Sequence, residues 1–139
     1  MSSDFLSRDV WLHITKAVRA SRQRCEVAVA YFGRGARRLL PLRRDDRLVV
    51  DVSERAVASG QTCPADLSKL MQRGVAVYSM ANLHAKVFVL GRAAYIGSAN
   101  ASSRSASQLV EAVICTTDPR AVARARQFVR DHCLQEITP

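Results

Sequence analysis

Apolar and polar positions change period along the chain, and each period predicts an element. Within residues 4–20, Val10, Ile14, Ala17 and Val18 share a helical face with Trp11 beside them, while Arg8, Lys16 and Arg19 lie mostly elsewhere. This predicts an amphipathic helix over 4–20. His13 lies on it away from any motif and reads as a surface or packing residue. Residues 25–32 predict a first strand, ending at Gly33-Arg34-Gly35, a flexible turn that carries a cation. Residues 47–52 have the all-apolar centre of a strand covered on both faces. A short helix is expected over 53–59, stopped by Gly60. Pro64 begins another, with Leu67, Leu70 and Met71 inward and Gly74 at its end. Residues 75–80 predict a third strand. Strands alternating with helices through short links imply right-handed crossovers, hence an α/β fold with a mixed, mostly parallel sheet flanked by helices.

The second half of the chain reads differently. Two short apolar runs, 87–90 and 93–96, are separated by Gly91-Arg92 and are expected to pair. A Ser-rich loop is expected over 101–107, then an apolar strand over 109–114 that carries Glu111. Asp118-Pro119 is a helix start, with Asp as cap and Pro at the first position. The helix that follows should bury Val122, Ala125 and Val129 and expose Arg120, Arg124 and Arg130. His132 near its end reads as structural or solvent-facing.

Chemistry concentrates where the paired runs begin and end. Side chains alternate along a strand, so His84 and Lys86 point the same way. Ser98 and Asn100 share a side if the chain stays extended there. Pairing through Gly91-Arg92 brings an imidazole, an ammonium, a hydroxyl and an amide to one end of a sheet. Such a set suits a tetrahedral anion such as phosphate: the imidazole attacks or moves protons, and the others hold oxygens.

His84-x-Lys86, ten residues, Gly97-Ser98-x-Asn100 and Glu111 eleven further on resemble the motif of the phospholipase D superfamily, in the form carried by its small single-motif nucleases. Two positions depart from that motif. Gly91 stands where the family usually has an Asp that serves the fold, and Leu109 where it commonly has an Asn. The resemblance implies a phospholipase D-like domain over 1–139, either whole or as the catalytic part of a longer protein. It implies that one His84 attacks phosphorus to form a phosphohistidine while a second His84 protonates the leaving oxygen and then activates water. Lys86 and Asn100 would hold the non-bridging oxygens, Ser98 would support them, and Glu111 would accept from an imidazole N–H. No metal and no other cofactor is implied. With one His-x-Lys per chain, the two histidines require a homodimer whose active site lies at the interface.

Composition narrows the partner. The 139 residues suit one core, and no apolar run approaches membrane-spanning length. Twenty-one Lys and Arg against twelve Asp and Glu leave a net charge of +9, which points to an anionic polymer or headgroup. Arg37, Arg38, Arg43, Arg44 and Arg47 follow Arg34, and as a group they form a candidate phosphate-backbone track; singly, each reads as a solvated cation. Arg34, Arg37, Arg38, Ser102, Arg104 and Ser105 are the candidate substrate contacts. Tyr31 and Phe32 either stack on a base or are buried in the sheet. Cys25, Cys63, Cys115 and Cys133 have no metal-type spacing, and Cys25 and Cys115 read as buried thiols. The opening Met1-Ser2-Ser3-Asp4 has no positive n-region, so a cytoplasmic location is expected. Nucleic acid, DNA ahead of RNA, is the expected partner and a membrane is not. Two alternatives stay open: a phospholipase or phosphatidyl transferase of the same fold, and a non-catalytic nucleic-acid-binding module.

Overall fold

The structure, a computed structural model, describes residues 2–139; Met1, which opens the segment read above for a leader, lies outside the described residues. In chain order the elements are β1 (Ser3–Leu6), α1 (Val10–Ala20), β2 (Glu26–Val29), α2 (Ala36–Leu39), β3 (Arg47–Val50), α3 (Glu54–Ala58), α4 (Pro64–Gln72), β4 (Ala76–Ser79), β5 (Lys86–Leu90), β6 (Ala93–Gly97), α5 (Ser103–Ser107), β7 (Val113–Thr116), α6 (Pro119–Asp131) and β8 (Glu136–Ile137). All the strands join one sheet, ordered β1-β7-β6-β5-β2-β3-β4-β8. Helices α1, α2 and α4 pack on one face around Phe32, Leu48, Leu70 and Phe88. Helix α6 covers part of the other through Val122, Ala125 and Val129, the residues its periodicity assigned to the core. Asp118 caps α6 as expected, accepting from the Arg120 N–H with Pro119 in the first turn, and the structure adds a cap on α3, where Ser53 accepts from the Ala56 N–H.

The sheet is mixed, as expected, but its parallel part is limited to the β2–β3 and β3–β4 pairs. The other five pairs are antiparallel. The crossover argument applies only where a helix separates two strands; from β5 onward the chain turns back on itself through tight links. The β5–β6 hairpin turns at Gly91-Arg92, pairing Leu90 with Ala93. Gly91 sits at φ +64°, the left-handed region that this turn requires and that glycine enters without strain.

Three expected elements are corrected. Residues 3–6 are an edge strand rather than helix, paired with β7 from Ser3–Thr116 to Leu6–Val113. Asp9, at φ 51°, breaks the backbone so that α1 starts at Val10. Residues 101–107 contain a helix, α5, because Ser102 accepts from the Ser105 N–H and caps it. The strand placed over 109–114 begins instead at Val113. The ladder with β6 starts at the Ser98 N–H to Ala112 carbonyl bond, leaving Leu109 and Val110 exposed, Val110 at 97%. The four cysteines are free; Cys25 is buried as expected, whereas Cys115 is only half-buried. Among the described residues no helix is long and apolar enough to cross a membrane.

Candidate active site

The candidate residues meet at the sheet end where β2 stops, β5 starts and β6 hands over to β7. Lys86 opens β5 opposite Val29, the last residue of β2. Its Nζ donates to the His84 carbonyl at 3.0 Å and stands 3.3 Å from His84 Nε2. His84 is exposed, so its ring faces solvent with a cation at one nitrogen. Burial pushes the Lys86 ammonium below its ordinary pKa of 10.5, and the negative charge of Glu111 partly opposes that shift.

Gly97 and Ser98 form the junction with β7. A side chain at Gly97 would collide with the Ala112 carbonyl and the Val113 backbone, so the motif glycine is the residue that lets β7 approach. Ser98 Oγ accepts from the Ala112 N–H at 3.0 Å and lies 3.4 Å from Glu111 Oε1. The other Glu111 oxygen accepts from Ser105 Oγ at 2.7 Å, and Ser105 Oγ in turn accepts from the Trp11 indole N–H at 3.2 Å. Both carboxylate oxygens are thus held, and the described residues contain no hydrogen bond from Glu111 to His84 of the same chain. Asn100 Oδ1 accepts from the Tyr31 N–H at 3.3 Å, which leaves the amide NH2 as the group that can donate.

Beside Asn100 opens a cleft of about 500 Å3, lined in part by Tyr31, Arg34, Gln61, Ser102 and Arg104. Its wall forms because Phe32 bridges to Ala101 and Ser103 donates from both N and Oγ to the Arg34 carbonyl. The candidate substrate contacts therefore separate. Arg34, Ser102 and Arg104 face this cleft. Arg37 is held by Asp66 at 2.9 Å, and Ser105 is 2% exposed and bonded to Glu111. Arg38 is exposed on α2 and lies outside the cleft lining. Tyr31 and Phe32 also part company: Phe32 is buried in the core, whereas half-buried Tyr31 lines the cleft.

Sequence reasoning missed Trp11, Gln61 and the positioning role of Ser105. The periodicity places Trp11 only beside the apolar face of its helix; it is buried and packs edge-on against Phe88 at 5.4 Å. A buried indole needs a hydrogen-bond partner, and that need was the available signal. No group of three or more His, Cys, Asp or Glu among the described residues is placed to hold a metal ion.

The model of the family described as "Cardiolipin synthase, PLD-like domain" matches residues 14–132. No curated protein sequence matches the chain. Among solved structures, Nuc, a phospholipase D family member from Salmonella typhimurium, superposes with a TM-score of 0.80 at 14% identity, covering 99% of both chains. NucT from Helicobacter pylori gives 0.73 at 15% identity, again over 99% of both. Phosphatidylserine synthase from Haemophilus influenzae Rd KW20 gives 0.68 at 15% identity, covering 96% of this chain but 37% of the synthase.

Proposed function

The chain belongs to the phospholipase D superfamily, through the cardiolipin synthase PLD-like domain family, and from that premise we propose that it is a metal-independent nuclease working as a homodimer. The observation that carries this reading is the clustering of His84, Lys86, Ser98, Asn100 and Glu111 at one sheet end with a single His-x-Lys per chain. With Lys86 charged, His84 Nε2 is the acceptor nitrogen, and its lone pair attacks phosphorus once substrate oxygens draw the ammonium away. The P–N bond forms as the P–O bond to the leaving group breaks. A protonated His84 from a second copy gives its proton to the leaving oxygen, then removes one from the water that cleaves the phosphohistidine. Lys86 and the Asn100 amide hold the non-bridging oxygens, where charge must be stabilised.

Two features support the second copy. Glu111 is held by Ser98 and Ser105 and makes no bond to its own His84, so its role is to orient the imidazole of the other copy. Phe5, Ile114 and Ile96 are lateral neighbours across β1, β7 and β6, on a sheet face that α6 leaves bare. With Leu109 and Val110 beside Glu111, they make up five of the seven exposed large apolar side chains among the described residues. An apolar surface this close to the catalytic end suits an isologous contact.

Nucleic acid is favoured over lipid by the +9 charge and by Arg34 and Arg104 in the cleft beside Asn100. The chain is also coextensive with Nuc and NucT but matches about a third of the synthase. The family description keeps phosphatidyl transfer as the second reading. The deciding assay incubates plasmid, single-stranded DNA, RNA and cardiolipin vesicles with the protein in EDTA. Cleavage of nucleic acid that survives chelation is expected. Loss of all activity on chelation overturns the mechanism, and turnover of cardiolipin alone overturns the substrate. Mixing wild-type with His84→Ala subunits should leave about a quarter of the activity at equal ratio under random pairing. A linear fall with demonstrated exchange overturns the shared site.

A further inference from the structure

The far end of β2 carries a second concentration of charge that catalysis does not use. Glu26, the first residue of β2, is fully buried on the face covered by α6. Arg47 Nη1 donates to its Oε1 at 2.6 Å and Arg130 Nε at 3.0 Å, while Arg126 Nε stands 3.5 Å from Oε2. Arg126 is further committed to the Gly91 carbonyl at 3.0 Å. Glu26 Oε2 has no hydrogen-bond partner among the described residues. Exposed Arg24, with Arg130, lines two adjoining cavities of about 470 and 260 Å3; Arg47 and Tyr78 line the larger, and Glu26 and Arg126 the smaller. The acidic groups facing this region are Glu26 and Glu136, the latter paired with Tyr78 across β4–β8. Four guanidiniums against two carboxylates leave two positive charges over.

A single carboxylate does not require this arrangement. One guanidinium neutralises it, and each further one that loses water in the groove adds like-charge repulsion. Donors left free on Arg24, Arg47 and Arg130, with the Tyr78 hydroxyl, suit an oxyanion presented from outside. We propose that this groove binds backbone phosphate of nucleic acid at a point remote from the cleaved bond. It lies at the other end of β2 from Lys86, about 10 Å along the strand, and its residues project from the opposite sheet face. A strand held in the active site reaches it only by passing around the protein, so the groove engages a distal segment of the substrate. A concave, half-buried cluster admits a protruding phosphodiester backbone more readily than a flat lipid surface. The proposal rests on the nucleic-acid reading above.

The test uses full-length protein with His84→Ala, which keeps DNA intact, and a fluorescent duplex of about 30 base pairs titrated over a salt series. Arg24→Glu removes an exposed cation that has no ion pair among the described residues, so the fold is retained. Lys69→Glu, an exposed reversal on α4 at the other face, controls for net charge. Arg24→Glu should weaken binding about tenfold and make the slope of log affinity against log salt shallower by about one to two, with Lys69→Glu changing affinity less than about twofold. Equal losses from both reversals, or none from either, overturn the proposal. So does loss of binding to phosphatidylglycerol vesicles with DNA affinity unchanged. With active protein, Arg24→Glu should slow cleavage of long DNA and spare an oligonucleotide of about six nucleotides. Absence of any hydrolysis by wild-type protein would instead strike the nuclease reading and leave the binding result standing.

Discussion

The two ends of β2 handle charge in opposite ways. At Glu26 one buried carboxylate is crowded by three guanidiniums, which it ties to the sheet while positive charge is left over. At the Lys86 end the carboxylate and the amide are held by neighbours that are not ionic partners. Glu111 is anchored by Ser98 and Ser105, Asn100 by the Tyr31 backbone, and the His84 ring remains open to solvent. Charges that close on each other hold α6 to the sheet. Charges held from behind remain available to a substrate, which is the condition for electrostatic preorganisation.

That contrast breaks if substitutions at the two ends act alike. His84→Ala should lower turnover by at least about four orders of magnitude while the thermal midpoint stays within a degree or so, because an exposed ring carries little packing energy. Steady-state rates beside calorimetry check it, and normal cutting would refute the site. Glu26→Ala should do the reverse. Removing a buried carboxylate leaves guanidiniums facing one another, at about 2–3 kcal/mol once their access to water is allowed for. Denaturant unfolding reads that loss, and the activity of the folded fraction on an oligonucleotide of about six nucleotides, too short to reach the groove, should be unchanged.

Ser105→Ala sharpens the comparison at smaller scale. It cuts the chain from Trp11 through Ser105 to Glu111, leaving a buried indole N–H unpaired at about 1–2 kcal/mol. Turnover should fall about ten- to a hundredfold with KM little changed, since the carboxylate loses its aim and no substrate contact is removed. Ser105→Thr, which restores the hydroxyl, should recover most of the rate, and failure to do so would reduce Ser105 to packing. The smallest effect is on pH dependence. Burial lowers the Lys86 pKa, so the ammonium loses its proton on the acid side of 10.5 as pH rises, and phosphate affinity falls with it. KM should therefore climb along an alkaline limb that begins below pH 10.5, and Lys86→Arg should remove that limb. An identical limb in the arginine variant would assign it to another group.

The sequence by itself determined the helical cap at Asp118, the buried face of α6, the hairpin at Gly91-Arg92 and the convergence of His84, Lys86, Ser98 and Asn100. Each of these follows from a local rule: capping chemistry, period, turn geometry, or the spacing of two paired strands. Tertiary structure decided the rest, because the deciding partner lay far away in sequence. Residues 3–6 became a strand when the edge of β7 offered unpaired backbone groups some 110 residues on, with Ser3 meeting Thr116. Glu26 looked like one polar residue in an apolar strand until Arg126 and Arg130, a hundred residues later, closed over it. Arg37 and Arg34 were equivalent cations in the sequence; Asp66 took the first and left the second to the cleft. Leu109 and Val110 had the composition of a buried strand, but the ladder started only where Gly97 let β7 come close, and so their apolar surface faces outward beside the candidate active site.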